Sequence, residues 1–432
     1  MKTLLMAGGK GTRISSVASD IPKPMIKIAG RPVLEHEIIC LKEQGFVDLI
    51  ITVSHLARYI IDYFGDGSRF GVRIKYFVEE QPLGNAGALF KMRDELNEDF
   101  LLLNADAVFD VDFNRFIDYH KKKGALVTLF SHSNSHPYDS GLLITDSEGC
   151  VKQWLTKEDK RPQWYKNCVN GGLHIINPSV LNMVDINPNL IGKEWNGKLV
   201  KIDLDRQILK PLCGTGKMFC YDSPEYVKDM GTPERYREVC NDFALGRVHI
   251  KNLREKQRAI FLDRDGTINK YVGFLRNVNE FKLLPGTAAA IRKINLSGYL
   301  AIVVTNQPVI ARGEVTFEEL QEIHNKMETL LGQEGAYVDK IYFCPHHPHK
   351  GYAGEVSKLK IDCGCRKPKP GMLLQAASDF NIDLTKSWII GDGENDIKAG
   401  KACACKTALI GNGDFGQDIS VSSLKEFIDN LL

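Results

Sequence analysis

Apolar runs of strand length alternate with amphipathic stretches of helix length in both halves of the sequence, which restricts the possible folds more than any other feature. Strands that are separated by helices pair in parallel, because each helix carries the chain back across the sheet. We therefore predict an α/β fold for each half. The strand-like runs are residues 47–53, 72–78, 99–106, 299–306, 340–344 and 387–392, and the helical runs are residues 32–44, 85–96, 316–331 and 371–380.

The chain is too long for one hydrophobic core. It has 432 residues, and a chain of that length ordinarily divides into two domains. The segment at residues 246–258 is charged and poor in large apolar side chains. We predict a first domain over residues 1–245, a linker over residues 246–256 and a second domain over residues 257–432.

The composition excludes several classes of partner. A net charge of +2 gives no general attraction to nucleic acid or to a membrane surface, so any anion binding must be local. No apolar run approaches the roughly 20 residues that span a bilayer, and residues 4–7 are too short for a secretory signal. Eleven cysteines, an odd number, argue against a disulfide framework. We expect a cytoplasmic protein with small-molecule substrates and neither nucleic acid nor membrane as partner, while its oligomeric state stays open.

A glycine-rich loop follows the first strand-like run. Gly8, Gly9 and Gly11 let the backbone approach a ligand and turn its N–H groups toward an anion. Lys10 and Arg13 add positive charge. A lone loop of this kind is as compatible with a tight turn as with a phosphate site, and it matches neither the dinucleotide-binding pattern nor the P-loop pattern.

The motifs that accompany this loop resemble those of the sugar-1-phosphate nucleotidyltransferases, over about residues 1–240. This resemblance implies a Rossmann-like nucleotide-diphospho-sugar transferase domain, in which a sugar phosphate oxygen attacks the α-phosphorus of a nucleoside triphosphate and pyrophosphate leaves. The motifs, in the order of the family, are AGGKGTR from Ala7, IPKPMIKIAGRPVLEH from Ile21, EEQPLGNAGAL from Glu79, LLLNADAVFD from Leu101, NGGLHIINP from Asn170 and VKDMGTPERY from Val227.

The resemblance also implies roles for single residues. Arg13 and Lys23 would bind the phosphates and carry the catalysis, and Asp106 and Asp229 would hold Mg²⁺. Without the other motifs, a capping role for Asp106 and a solvated position for Asp229 would be favoured. The residues implied in binding the nucleotide are Gly8, Gly9, Gly11, Thr12, Gln81, Pro82 and Gly84, and the one implied on the sugar side is Gly172.

The second half begins with an apolar run that ends in two acids, Asp263 and Asp265. Side chains two apart on an extended segment face the same side, and paired carboxylates attract magnesium. An Asx-type turn with incidental acids is the alternative. Later segments argue against it, because a hydroxyl and amides, cations and further acids follow the other strands, as a phosphoryl-transfer site requires. These segments are VVTNQ from Val303, CRKPKP from Cys365 and IIGDGENDIKAG from Ile389.

These motifs resemble those of the haloacid dehalogenase superfamily of phosphatases, over about residues 257–432, which implies a Rossmannoid domain. By this resemblance, Asp263 attacks phosphorus and forms an aspartyl phosphate, and Asp265 protonates the leaving alkoxide. Thr305 and Asn306 bind the transferring phosphoryl group. Asp392 completes a Mg²⁺ site with Asp263 and the backbone carbonyl of Asp265.

Cysteines and histidines are concentrated between Cys344 and Pro370. Cys344, His346, Cys363 and Cys365 suit tetrahedral zinc, and four protein ligands leave no open position for a substrate, so we predict a structural Zn²⁺. His347 and His349 could replace His346 as the fourth ligand.

This zinc loop resembles that of the D-glycero-D-manno-heptose 1,7-bisphosphate phosphatases, although histidinol-phosphate phosphatases carry a similar one. Arg366 and Lys367, directly after the last ligand, would contact the substrate phosphate, with Lys369 as a possible substitute. The two resemblances together imply an enzyme that removes the 7-phosphate and then transfers a nucleotide, for which we expect GMP from GTP, to heptose 1-phosphate. The alternatives are a mannose- or glucose-1-phosphate nucleotidyltransferase fused to another phosphatase, or a chain in which one half has lost its activity.

Overall fold

The computed structural model describes residues 1–9, 20–156 and 158–432, and these residues form two compact units. The first unit comprises Met1–Ser131, Leu143–Trp154 and Asn170–His249. The second comprises His132–Leu142, Leu155–Val169 and Ile250–Leu432. In the middle of the chain the units therefore change between His249 and Ile250, which lies inside the predicted linker. The two short segments from the first half, which the sequence did not single out, belong to the second unit.

In the main sheet of the first half, four neighbouring strands run parallel to one another. Strand β1 (Thr3–Met6) pairs in parallel with β4 (Asp48–Val53) and with β6 (Phe100–Asn104), and β4 pairs in parallel with β5 (Arg73–Val78). Strand β11 (Val169–Ile176) runs antiparallel to β6. The parallel strands end together, and this common edge positions the first site.

The other strands of the first half are β2 (Lys27–Ile28), β3 (Arg31–Pro32), β7 (Ala107–Asp110), β8 (Val127–His132), β9 (Leu142–Thr145), β10 (Val151–Leu155), β12 (Glu194–Trp195), β13 (Lys198–Leu199), β14 (Met218–Asp222) and β15 (Tyr226–Asp229). Its helices are α1 (Val33–Lys42), α2 (Ala57–Phe64), α3 (Gly87–Lys91), α4 (Phe113–Lys123) and α5 (Pro233–Ala244). The helix predicted at residues 85–96 is shorter than expected, because the chain leaves helical geometry at Met92 (φ −100°, ψ 15°). The predicted strands at residues 47–53, 72–78 and 99–106 correspond to β4, β5 and β6.

The second unit has one parallel sheet, in the order β18–β17–β16–β19–β20–β21. Its strands are β16 (Arg258–Leu262), β17 (Tyr299–Asn306), β18 (Lys340–Cys344), β19 (Trp388–Gly391), β20 (Lys406–Ile410) and β21 (Ile419–Val421). Its helices are α6 (Thr287–Asn295), α7 (Phe317–Gln333), α8 (Gly371–Asp379), α9 (Glu394–Ala402) and α10 (Leu424–Leu431). The α/β prediction is confirmed for both halves.

Both faces of this second sheet are buried. Ile260 and Leu262 pack into one apolar core, whereas Ala259 and Phe261 pack into another. Successive side chains of a strand point to opposite faces, so a central parallel strand covered by helices on both sides reads as a continuous apolar run. This explains why residues 259–262 contain no polar side chain before the acid at position 263.

Helix α7 contacts His132–Leu142 and Leu155–Val169, the two segments from the first half of the sequence that belong to the second unit. The backbone N–H of Tyr165 donates to the Thr329 hydroxyl (2.9 Å), and that hydroxyl is 3.2 Å from the Tyr165 carbonyl oxygen. The Lys326 ammonium lies 5.1 Å from the centre of the Trp164 ring. A Cβ added at Gly332 would lie 2.7 Å from Pro137 Cγ, so Gly332 permits the close approach of that proline. In the described parts of the chain, no helix is both long and apolar enough to cross a bilayer.

Candidate active sites

The candidate site of the second unit, called the second site below, lies at the carboxyl edge of its sheet. Strand β16 lies between β17 and β19, so the residues that follow these three strands meet at one place. Asp263 follows β16, and its backbone N–H donates to the Ile390 carbonyl (2.9 Å). Thr305 is the residue before the last one of β17, and Asp392 follows β19 directly. The sheet therefore brings together the residues that the sequence predicted for phosphoryl transfer.

Three carboxylates form the centre of this site. One carboxylate oxygen from each of Asp263, Asp392 and Asp396 lies within 4.8 Å of the others. Asp396 belongs to the first turn of α9, and its Oδ2 accepts from the Gly393 N–H (3.3 Å). A Cβ at Gly391 would lie 2.2 Å from that same oxygen, so the glycine leaves the space that Asp396 occupies. Hard oxygen ligands in this number suit Mg²⁺.

Lys367 is the buried cation of this cluster. Its Nζ donates to Asp263 Oδ1 (2.6 Å), to Asp396 Oδ1 (2.5 Å) and to the Val304 carbonyl (2.7 Å). Burial opposes its charge, but the two carboxylates raise the pKa of Lys367 above its ordinary value. Burial raises the pKa of Asp263 to about 7, and repulsion from Asp396 adds to this. Within the described residues, Lys367 thus contacts two of the three clustered carboxylates, and a divalent ion would neutralise the remaining negative charge.

Asp265 is oriented differently from Asp263. The Arg264 guanidinium donates to both of its carboxylate oxygens (2.9 and 2.7 Å), and Asn269 and Gln307 donate to one oxygen each. Although burial opposes the charge, Arg264 holds the pKa of Asp265 below its ordinary value. The Asp265 side chain is thus outside the carboxylate cluster, because β16 ends at Leu262 and the following residues turn. A Mg²⁺ contact through its backbone carbonyl stays a prediction.

Three further predicted residues have contacts that define their positions. The Asn306 amide accepts from the Lys367 N–H (3.0 Å) and donates to the Lys367 carbonyl (2.9 Å), so it holds the backbone of that lysine. Thr305 is buried, and its hydroxyl oxygen accepts from Gln307 Nε2 (2.9 Å). Arg366 donates to the His346 carbonyl (3.2 Å). A direct role of these side chains on phosphate stays a prediction.

Replacing Lys367 with methionine is expected to lower the free energy of unfolding by about 3–5 kcal/mol. The substitution leaves Asp263 and Asp396 buried side by side without their cation. Urea denaturation in magnesium-free buffer measures the change. The matched control is Lys369→Met, which removes an exposed lysine whose Nζ lies 2.7 Å from Asp362 Oδ1, and an exposed pair contributes at most about 1 kcal/mol. Equal losses in the two variants would contradict the assignment.

A separate cluster of soft ligands lies at the end of β18. The sulfur atoms of Cys344, Cys363 and Cys365 are 3.2–3.4 Å apart, and His346 Nδ1 lies 3.7 Å from Cys344 Sγ and 3.4 Å from Cys365 Sγ. Tetrahedral ligands about 2.3 Å from zinc would be about 3.8 Å apart. The four donors therefore fit one zinc ion after a small expansion.

The structure also distinguishes the histidines of this loop. His346 belongs to the group that could hold a metal, whereas His347 and His349 do not. His347 Nε2 accepts from Arg312 (3.3 Å), and its ring packs against Tyr352. Of the described residues, His346 is thus the histidine that completes the set predicted for zinc.

The candidate site of the first unit, called the first site below, is a cavity of about 660 Å³ at the edge of its sheet. Lys23 follows Pro22 at the start of a short 3₁₀ helix, and its Nζ lies 2.6 Å from Asp106 Oδ2. Gly84 has φ +83°, and a Cβ there would lie 2.2 Å from the Ile202 carbonyl oxygen, so only glycine fits. The predicted residues that line the cavity are Gly8, Gly9, Lys23, Gln81, Pro82, Gly84 and Asp106.

Asp229 is close to Asp106 because β15 pairs with β7. Asp229 is opposite Ala107 in this antiparallel pair. Its carboxylate accepts from Arg235 (2.6 Å) and from the Gly231 N–H (2.8 Å). Burial raises the pKa of Asp229, but the hydrogen bond and the charge of Arg235 hold this pKa below its ordinary value. Where residues are described, Asp106 and Asp229 belong to no group of three potential metal ligands, so Mg²⁺ there would need triphosphate oxygens as further ligands.

Two other predictions for this site concern Gly172 and the rest of the glycine-rich loop. Gly172 lies against Asn104, because a Cβ on the glycine would be 2.6 Å from Asn104 Nδ2, and Asn104 lines the cavity. The role of Gly172 on the sugar side stays a prediction. Gly11, Thr12 and Arg13 lie outside the described residues.

Comparisons with known proteins match the two halves of the chain to different families. The nucleotidyl transferase family matches residues 2–244, and the HAD-hydrolase-like family matches residues 364–429. The chain is 41% identical over 154 residues to the D-glycero-beta-D-manno-heptose-1,7-bisphosphate 7-phosphatase of Pasteurella multocida, which covers 36% of this chain and 81% of the relative. It is 40% identical over 155 residues to the D-glycero-alpha-D-manno-heptose-1,7-bisphosphate 7-phosphatase of Burkholderia mallei, covering 36% and 80%. The crystal structure of HddC from Yersinia pseudotuberculosis aligns with a TM-score of 0.47 and 24% identity, over 56% of this chain and 99% of that one.

Proposed function

We propose that this chain, which belongs to the nucleotidyl transferase family and to the heptose 1,7-bisphosphate 7-phosphatases, is a bifunctional enzyme that makes a nucleotide-activated heptose. The second half removes the 7-phosphate of D-glycero-D-manno-heptose 1,7-bisphosphate. The first half then joins the resulting heptose 1-phosphate to GMP from GTP and releases pyrophosphate. The product of one reaction is thus the substrate of the other.

One observation carries the phosphatase assignment. The Asp263–Asp392–Asp396 cluster binds the buried Lys367, which comes two residues after the last member of the four-ligand cysteine and histidine cluster. The chain is also 41% identical over 154 residues to a heptose bisphosphatase. The three carboxylates would hold Mg²⁺, which would neutralise charge on the phosphoryl group, and the cysteine and histidine cluster would hold a structural Zn²⁺. Both metals are part of the proposal.

The residues of the second site support a two-step hydrolysis. A carboxylate oxygen of Asp263 attacks phosphorus, and the bond between phosphorus and heptose O7 breaks. Asp265 gives its proton to the leaving alkoxide, and then accepts a proton from the water that hydrolyses the aspartyl phosphate. Because Arg264 keeps Asp265 ionised in the present arrangement, protonation of Asp265 requires substrate binding to weaken that contact. Lys367, held by Asn306, stays next to the nucleophile through both steps.

The residues of the first site support nucleotidyl transfer by positioning and charge. A phosphate oxygen of heptose 1-phosphate attacks the α-phosphorus of GTP, and the bond to the β-phosphate breaks. Lys23 and Arg13 would neutralise the phosphates, with Mg²⁺ on Asp106 and Asp229. For this to occur the Lys23 ammonium exchanges its contact with Asp106 for a phosphate oxygen, which a lysine side chain can do by rotation.

A two-step assay tests the whole proposal. The protein is incubated with magnesium and either anomer of heptose 1,7-bisphosphate, since the two relatives named above act on different anomers. We expect release of one phosphate without any nucleotide, and release of pyrophosphate with formation of a nucleotide-heptose only after GTP is added. Mannose 1-phosphate and glucose 1-phosphate serve as competing substrates. A preference for either of them over heptose 1-phosphate would contradict the assigned pathway while leaving both reaction types in place.

A further inference from the structure

His324 is a buried histidine of helix α7 that the reactions described above do not use. Its Nε2 accepts a hydrogen bond from Nη1 of Arg264 (3.2 Å), and its ring packs against the edge of Phe343, with 5.6 Å between the ring centres. The start of α7 is fixed by a capping box between Thr316 and Glu319. The helix that carries the histidine and the ring beside it therefore hold His324 in place.

The Arg264 guanidinium connects this histidine with the proposed acid of the second site. Arg264 is fully buried, so its N–H groups need acceptors within the protein. Nε and Nη2 donate to the carboxylate of Asp265 (2.7–3.2 Å), and in the described part of the chain the acceptor at Nη1 is His324. Since the guanidinium is planar and rigid, the acceptor at Nη1 determines which edge of the group faces Asp265.

The charge state of His324 suits it to this position. Burial lowers the pKa of His324 to about 3, and the charge of Arg264 adds to this effect. The imidazole is therefore neutral at neutral pH, and its unprotonated Nε2 can accept from the arginine. A carboxylate at the same place would compete with Asp265 for the guanidinium, because it would offer a second negative charge. A neutral acceptor fixes the arginine without drawing it away.

We propose that His324 is a positioning residue for proton transfer to the leaving group, because it fixes Arg264 and thereby the direction of the Asp265 side chain. This inference rests on the proposed phosphatase function, in which Asp265 gives a proton to O7 of the heptose. Without the acceptor at Nη1, the guanidinium would rotate toward another acceptor and carry the Asp265 carboxyl group with it. A misplacement of about 1 Å is enough to slow a proton transfer about 10²-fold.

The test compares His324→Leu with His324→Gln in the full-length protein. Leucine is similar in size to histidine but has no acceptor, whereas glutamine can place its amide oxygen near the position of Nε2. We expect kcat for phosphate release from heptose 1,7-bisphosphate to fall about 10–100-fold in His324→Leu. KM should stay within about 3-fold of its original value, because an interaction that acts in the transition state is lost. His324→Gln should recover most of the lost activity.

A substrate analogue separates an effect on proton transfer from a general loss of order. Sulfur in place of O7 gives a thiolate leaving group, which departs without a proton and does not need an oriented acid. In single turnovers, release of the sugar reports only the cleavage of the bond to phosphorus. We expect His324→Leu to slow release from the oxygen substrate at least about 10-fold more than release from the sulfur analogue. Partial unfolding lowers the amplitude of a single turnover and not its rate constant, so the comparison also holds for a destabilised variant.

The control variant is Met327→Ala, which removes a fully buried side chain one turn further along α7. It should weaken the packing of the helix and keep the ratio of the two substrates. Equal losses in the leucine and glutamine variants, or equal slowing with oxygen and sulfur, would overturn the role of His324 and leave the phosphatase activity in place. Absence of phosphate release by the unchanged protein would instead overturn the proposed phosphatase function and this inference with it.

Discussion

Asp263→Asn is expected to reduce phosphate release from heptose 1,7-bisphosphate by on the order of 10⁴-fold or more, because it removes the nucleophile on which both steps depend. The amide keeps the size of the side chain, and Lys367 retains its contact with Asp396 (2.5 Å). The fold should therefore survive the change. Transfer of GMP to supplied heptose 1-phosphate should continue at the rate of the unchanged protein, since it uses residues of the other unit.

The complementary variant is Asp106→Asn. It should stop nucleotidyl transfer and spare phosphate release, so the two variants mixed together should convert heptose 1,7-bisphosphate to the nucleotide-heptose. Malachite-green detection of phosphate and chromatography of the nucleotide product measure the two reactions separately. Phosphate release by Asp263→Asn within about 100-fold of the unchanged rate would exclude Asp263 as the nucleophile, because loss of a covalent nucleophile costs far more.

The second large effect is expected for Cys363→Ser. Removing one of three thiolates should lower the zinc content from about one ion per chain to almost none. A structural zinc site of this kind is worth about 10–16 kcal/mol, so the loop from Cys344 to Cys365 should become sensitive to protease. Lys367 lies two residues beyond the cluster, and a displacement of about 1 Å there should lower phosphatase activity about 10²-fold. Elemental analysis, limited proteolysis and the phosphate assay measure these three effects.

A matched control exists in the same unit. Cys403 and Cys405 have the same spacing as Cys363 and Cys365, and their sulfur atoms are 3.8 Å apart, but they belong to no group that could hold a metal in the described residues. Cys403→Ser should therefore keep both zinc and activity. Full phosphatase activity in protein that contains no zinc would show that the cluster does not position Lys367.

The sequence predicted those parts of the sites that depend on short spacings. The two acids come directly after β16, and Lys367 comes two residues after the cysteine and histidine pairs. Because these residues are close in sequence, the sequence alone could predict that they are close in the structure. Asp396 could not, because its role depends on the first turn of α9 folding back over Gly391. Its position four residues after Asp392, at the start of a helix, was the available signal.

Other features depended on contacts between distant residues. Asp265 turns away from the carboxylate cluster because Arg264 and Gln307 bind it, and burial of an arginine cannot be deduced from its neighbours in the sequence. The alternation of strands and helices gave the α/β class, whereas the inclusion of residues 132–142 and 155–169 in the second unit follows from packing across more than a hundred residues.

The surface of α7 has a consequence for how this fused gene can change. Thr329 accepts a hydrogen bond from the backbone of Tyr165, and Gly332 leaves room for the ring of Pro137. Both positions are therefore constrained by segments that are encoded far upstream. A recombination event that exchanged only the region after residue 250 would bring in a helix selected without those partners. The two catalysts are therefore inherited as a pair whose sequences must change together, and the linker is not a neutral point of exchange.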